Sequence, residues 1–236
     1  MRRLVLALQL MTRLPLPAVR ADEADFAAAI RWFPATGLAV GGAVVAALWL
    51  GARVDPWMGA LAGLLAWVAM TGALHLDGLG DIADGAGAAH GDGRKLSAVL
   101  ADPHIGSFGV VAIVLQLLAK LLLLRLWAEG PAPWGIIAIA LVARIGPLAW
   151  TQWLPPLHEG LGSRFRQGLT RAHLLGWSGV ALAMSLWLPG LLAAALLVPL
   201  WAWWLRSRIG GISGDGHGAG IELVESGLLA ILLVAR

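Results

Sequence analysis

Long apolar runs alternate with short polar segments along most of the chain. The runs are Phe33–Gly51, Trp57–Leu76, Ile105–Ala128, Trp134–Trp153, Leu174–Leu188, Leu191–Leu205 and Ile221–Ala235. Runs of about 20 residues cross a bilayer as helices. The last three are nearer 15, so they must recruit flanking residues or thin the bilayer. The pattern predicts an all-α integral membrane protein, a polytopic bundle of about seven transmembrane helices. A shorter run, Leu4–Met11, is closed by Arg13 with no clear small-residue cleavage site after it. It is expected to be a retained interfacial or re-entrant helix. A charged connector, Arg20 to Arg31, leads into the first span, whose GLAVGG stretch at Gly37–Gly42 predicts close helix packing. Two polar, glycine-rich segments break the pattern: His75 to Gly109, and Arg206 to Gly220.

Composition agrees. Of 236 residues, 59% are hydrophobic and 13% charged, with mean hydropathy +0.79. A soluble domain is about half apolar and a quarter charged. One transmembrane catalytic domain over residues 1–236 is expected. The absence of cysteine excludes disulfides, thiolate zinc sites and iron–sulfur clusters. A net charge of +3 does not point to nucleic acid, because Lys and Arg lie in short loops beside lipid headgroups. With the N-terminus inside, twelve of the seventeen cations fall on the cytoplasmic side: Arg2, Arg3, Arg13, Arg20, Arg31, Arg94, Lys95, Arg164, Arg166, Arg171, Arg206 and Arg208. Three, Arg53, Arg125 and Arg236, fall outside. This bias places both polar segments and the 154–171 loop on one cytoplasmic face. Homo-oligomerisation is left open.

The first polar segment carries Asp77, Asp81, Asp84, Asp92 and Asp102. Asp77, Asp81 and Asp84 stand at i, i+4 and i+7, within about 60° of one another on a helix. Three stacked carboxylates repel one another and are costly to desolvate near lipid. A divalent cation would remove both penalties, and an all-oxygen site suits Mg²⁺, Mn²⁺ or Ca²⁺. Asp84 and Asp102 are the candidate catalytic acids; Asp102 would close the metal site or act as general base. Glycines, Gly78 and Gly85 among them, suggest close approach of backbone to phosphate. Arg13, Arg94 and Lys95 are candidate phosphate partners.

The second segment, GGISGDGHGAGIELVE at Gly210–Glu225, repeats this chemistry. Asp215 is a further metal ligand, and His217 and Glu222 are candidate substrate-binding groups. The helix dipole alone would also account for Glu222. No H-E-x-x-H motif is present, and His75, His104 and His217 read as hydrogen-bonding or phosphate-facing groups. Arg144, inside the fourth run, is either the partner of a buried acid or a phosphate clamp. Lys120 snorkels or pairs.

These residues resemble the cobalamin synthase family, adenosylcobinamide-GDP ribazoletransferase, nearly end to end. LMTRLPLP (Leu10–Pro17), RWFPATGLAVGG (Arg31–Gly42), HLDGLGDIADG (His75–Gly85), ADPHIGSFG (Ala101–Gly109) and GGISGDGHGAGIELVE are the similar stretches. The central aspartate motif and the last one are the specific ones. Ile82, Pro103-His104, Ala143 and His217 depart from the family's expected Thr, Ser-Arg, Ser and Leu; no carboxylate is lost. The resemblance implies a Mg²⁺-dependent enzyme of the bacterial inner membrane. The ribose hydroxyl of α-ribazole, or of its 5′-phosphate, would attack the cobinamide-linked phosphate of adenosylcobinamide-GDP, and GMP would leave. Two other readings share the acidic face: a cation-coupled transporter, and a CDP-alcohol phosphotransferase, which has analogous site chemistry.

Overall fold

The computed structural model describes residues 1–89, 96, 99–100, 102, 104–130, 133–158 and 161–235, without the side chains of 89, 161 and 162. Twelve helices organise them. They are α1 (Arg2–Met11), α2 (Glu23–Ala29), α3 (Phe33–Ala52), α4 (Pro56–Thr71), α5 (Leu74–Ala89) and α6 (Ser107–Ala128). They continue as α7 (Gly135–Ala143), α8 (Gly146–Trp153), α9 (Leu161–Gly168), α10 (Arg171–Ser185), α11 (Ala194–Arg208) and α12 (Gly214–Val234). Among the described residues there is no strand, only an isolated parallel bridge between Pro156 and Ile212. The protein is an all-α, polytopic membrane protein. Five helical stretches are long and apolar enough to cross a bilayer, or six with α4 and α5 taken as one bent pair. The expected fifth span is the 15-residue α10, so the expected total of seven is not reached by length.

Three expected boundaries move. The connector Arg20–Arg31 contains a helix: Asp22 caps α2 by accepting from the Asp25 amide, and α2 continues through a 3₁₀ turn into α3. The second run does not continue to Leu76. It stops at Thr71, where Gly72 adopts φ 62° and Ala73 φ 60°, and α5 leaves at 83° to α4. Left-handed backbone is natural for Gly72 and strained for Ala73. The last helix begins not at Ile221 but at Gly214, because Ser213 caps it by accepting from the Gly216 amide.

The α7–α8 helix is buried along nearly its whole length and forms the axis of the bundle. Gly37 and Gly41 let α3 lie directly on it: a Cβ on Gly41 would stand 2.6 Å from the Ile137 Cα. On α6, Gln116, Lys120, Leu124 and Trp127 form the buried stripe, while Leu115, Leu118, Leu122 and Leu126 are exposed as a lipid-facing surface. At one end, α1, α2 and α9 pack beneath the bundle through Arg3–Asp25 (2.9 Å), Arg164–Glu23 (2.8 Å) and stacked Phe26 and Phe165.

The interior holds charge. Lys120 Nζ lies 2.8 Å from Glu222 and 2.6 Å from Glu225, and Arg144 Nη1 lies 2.7 Å from the other oxygen of Glu225. Gln116 donates to Glu222 at 2.9 Å, and the Lys120 ammonium sits 4.1 Å from the centre of the Trp67 ring. Two cations and two acids make the cluster neutral, which is what permits it in an apolar interior. It joins α4, α6, α7 and α12. Replacing Lys120 by Met leaves buried Glu222 without a cation and Glu225 with Arg144 alone. It should destabilise the protein by about 3–5 kcal/mol, seen as a large fall in the melting temperature in detergent. An unchanged melting temperature would contradict this role.

Candidate active site

The two polar segments meet through backbone. A Cβ on Gly78 would stand 2.8 Å from the Asp215 Cα, and one on Gly218 3.1 Å from the His75 Cα. The α5 and α12 helices therefore touch at Gly78 and Gly218, where any larger residue would force them apart. This contact brings the start of α12 beside the acidic face of α5. Asp81 thus has Asp215 as well as Asp77 and Asp84 among its acidic neighbours. Asp77 is exposed, and Asp81 and Asp215 are half-buried.

Asp84 has a different environment. It is buried, and its Oδ2 accepts from the Gly106 amide at 2.7 Å and its Oδ1 from the Gly109 amide at 2.9 Å. Both carboxylate oxygens are thus spent on the N-terminus of α6, a favoured place for negative charge. This makes Asp84 the clamp between α5 and α6. Asp102 is exposed and accepts from the His104 amide (3.0 Å) and pairs with its ring (2.7 Å). Those two hydrogen bonds hold the Asp102 carboxyl below the usual carboxylate range.

The expected phosphate-binding residues separate into groups. Arg13 is exposed, and its side chain lies over Gly72 at the α4–α5 bend. His104 is exposed beside Asp102. Arg94 and Lys95 lie outside the described residues. His75, about 200° round the helix from Asp77, is buried with neither ring nitrogen hydrogen-bonded. Arg144 and Glu222 belong to the buried ion cluster, so Arg144 is a partner of a buried acid rather than exposed to a ligand. The space beside Gly78 is filled by α12, and a Cβ on Gly85 would stand 3.0 and 3.1 Å from the Leu96 and Leu100 side chains. Their small size serves helix contact where phosphate approach was expected. His217 is buried, stacked on Trp150, with Nε2 3.3 Å from Thr151 Oγ1.

Among the described residues, no three His, Asp or Glu side chains stand together as a group that could hold a metal ion. Magnesium does not require three. It commonly rests on one or two carboxylates and draws its other ligands from phosphate oxygens and water. One or two of the accessible carboxylates of Asp77, Asp81 and Asp215 fit that pattern; Asp84, whose oxygens accept from two amides, does not.

A family model described as cobalamin-5-phosphate synthase matches residues 3–233. The chain belongs to that family. Similar curated proteins are named adenosylcobinamide-GDP ribazoletransferase. The one from Novosphingobium aromaticivorans is 56% identical, covering 97% of this chain and 95% of that protein. Those from Thiobacillus denitrificans (48%; 98% and 94%) and Laribacter hongkongensis (50%; 100% and 98%) are also similar end to end. No solved structure matches. The chain is thus an enzyme of the cobalamin-synthesising transferases, and its HLDGLGDIADG and GGISGDGHGAG segments are in contact.

Sequence reasoning missed Gln116 and the extent of the Lys120–Glu222–Glu225–Arg144 cluster. Its signal is the spacing 116, 120, 124, 127, a helical stripe with polar members in an apolar run. Replacing Asp84 by Asn removes the charge from two hydrogen bonds worth about 1.5–3 kcal/mol each. Amide exchange at Gly106 and Gly109 should accelerate by about tenfold or more, while Asp77→Asn leaves it unchanged. Equal protection in both variants would rule out the clamp.

Proposed function

We propose that the protein joins α-ribazole, or its 5′-phosphate, to adenosylcobinamide-GDP, releasing GMP and forming adenosylcobalamin or its 5′-phosphate. The observation that carries this reading is the contact of α5 with α12, which sets Asp215 beside Asp77 and Asp81. Family membership and the names of the relatives support the choice of substrates. The positive-inside charge bias favours a cytoplasmic position for this face, in a bacterial inner membrane.

One or two of Asp77, Asp81 and Asp215 would hold Mg²⁺, with phosphate oxygens and water as its other ligands. When bound, the ion neutralises diphosphate charge and the charge that develops on the leaving phosphate. The chain's own residues do the rest. The ribose hydroxyl forms a new P–O bond to the cobinamide-linked phosphorus. The bond from that phosphorus to the oxygen bridging to GMP breaks, and GMP leaves with its electron pair. The hydroxyl proton passes to the acids of the cluster outside the Asp84 clamp, directly or through water. Asp84 fixes the α6 N-terminus beside the reacting groups. The exposed rim, including Arg13 and His104, is available to phosphate oxygens.

Purified protein in nanodiscs should release GMP from adenosylcobinamide-GDP and α-ribazole 5′-phosphate, and chelator should abolish turnover. Asp81→Asn should lower kcat by about 100-fold or more, as loss of an electrostatic partner does, without changing the melting temperature by more than a few degrees. Undiminished turnover in chelator, or in both Asp77→Asn and Asp81→Asn, would refute the metal assignment. Release of CMP from a CDP-alcohol would select the phosphotransferase reading instead.

A further inference from the structure

A second cavity lies on another flank of the α12 N-terminus. It has a volume of about 230 Å³ and is walled by the end of α8, the 154–158 loop, α9 and the start of α12. Its polar lining is Thr151, His158, Ser163, Arg166, Ser213 and His217, against apolar walls from Leu154, Pro156 and Ile212. Among the described residues its lining contains no acid; the Asp215 carboxylate lies behind it, accepting from the Ser213 hydroxyl at 3.3 Å. Arg166 and His158 are exposed at the mouth, and Arg166 Nη2 is held by the Gln152 carbonyl at 3.3 Å. His217 is 8% exposed. Thr151 engages its Nε2, and its Nδ1 is buried with no hydrogen-bond partner.

These features suit an anion without a metal. The first turn of a 21-residue helix presents amides and the positive end of its dipole, with Gly214 in the lining. A guanidinium stands at the mouth and an unsatisfied imidazole nitrogen is buried in the wall, a position that is costly unless a partner is supplied. The acidic face of α5 needs a cation to receive phosphate; the described lining of this cavity, with Arg166 at its mouth, does not. It is also larger than a single phosphate requires, which leaves room for the sugar that bears it.

We infer that this cavity seats the 5′-phosphomonoester of the acceptor nucleotide, held by Arg166, His217 and the α12 N-terminus. The inference rests on the proposed reaction for the identity of the acceptor. The two phosphate-bearing substrates then meet across one helix terminus, the diphosphate on the α5 side and the phosphomonoester on the α8 side. An enzyme so built discriminates between phosphorylated and free acceptor.

The test is equilibrium binding by titration calorimetry to the full-length protein in nanodiscs, without donor. The probes are α-ribazole and α-ribazole 5′-phosphate. The phosphorylated form should bind about tenfold more tightly or better, as charge-assisted hydrogen bonds warrant. Arg166→Gln, an exposed change that spares the core, and His217→Leu should each bring the ratio towards one. Binding of neither probe, a ratio near one in the wild type, or a ratio unchanged in both variants would overturn the assignment. Turnover is scored separately. Discrimination in binding with no GMP release would sink the proposed reaction and leave the cavity's role standing; GMP release with no discrimination would do the reverse.

Discussion

The contact between α5 and α12 is the constraint on which the rest depends. At Gly78 and Gly218 the two helices approach until backbone meets backbone. Neither segment alone is a site. The α5 face carries acids that repel one another, and the α12 terminus carries one acid and a capped turn. Only their contact places Asp215 among the charges that act on Asp81. Small residues at helix crossings are a common membrane solution, since lipid supplies little hydrophobic drive for helices to associate. Here that packing device also determines where the carboxylates stand.

The contact is supported from two sides. Asp84 ties α5 to the N-terminus of α6 through the Gly106 and Gly109 amides. Further along α12, Glu222 and Glu225 are neutralised by Lys120 from α6 and Arg144 from the central helix. A single unpaired charge there would be expensive. The paired arrangement instead specifies how α6, α7 and α12 are registered against one another, and so where the Asp215 end of α12 lies. The acids thus divide by depth: Glu222, Glu225 and Asp84 tie helices together, while, among the described residues, Asp77, Asp81 and Asp215 do not, Asp215 accepting only from the nearby Ser213 hydroxyl at 3.3 Å.

Much of this was legible in the sequence, and the rest was hidden for identifiable reasons. Hydropathy located the spans because lipid-facing residues such as Leu115, Leu122 and Trp203 have no other use. The 3.6-residue period placed Asp77, Asp81 and Asp84 on one face. It could not reveal that Asp84 faces a helix terminus contributed by Gly106 and Gly109, more than twenty positions away. Glycine density was misleading about Gly78 and Gly85. A glycine needed for a neighbouring helix and one needed for a phosphate look alike in a string. The same density hid the helical start at Gly214, where propensity argues against helix and the Ser213 cap with tertiary contact overrides it. Arg144 was legible only as one of two alternatives, because its partner, Glu225, is eighty-one positions distant.

The most direct test of the central claim is a double-mutant cycle across the α5–α12 contact, read by Mn²⁺ binding in the presence of adenosylcobinamide-GDP. The variants are Asp81→Asn, Asp215→Asn and the pair, followed by electron paramagnetic resonance. If both acids serve one ion, each single change should weaken binding and the pair should lose clearly less than the sum of the two, since contacting residues couple. Additive losses, or full binding in either single variant, would show that the two helices do not share a metal and would contradict the account.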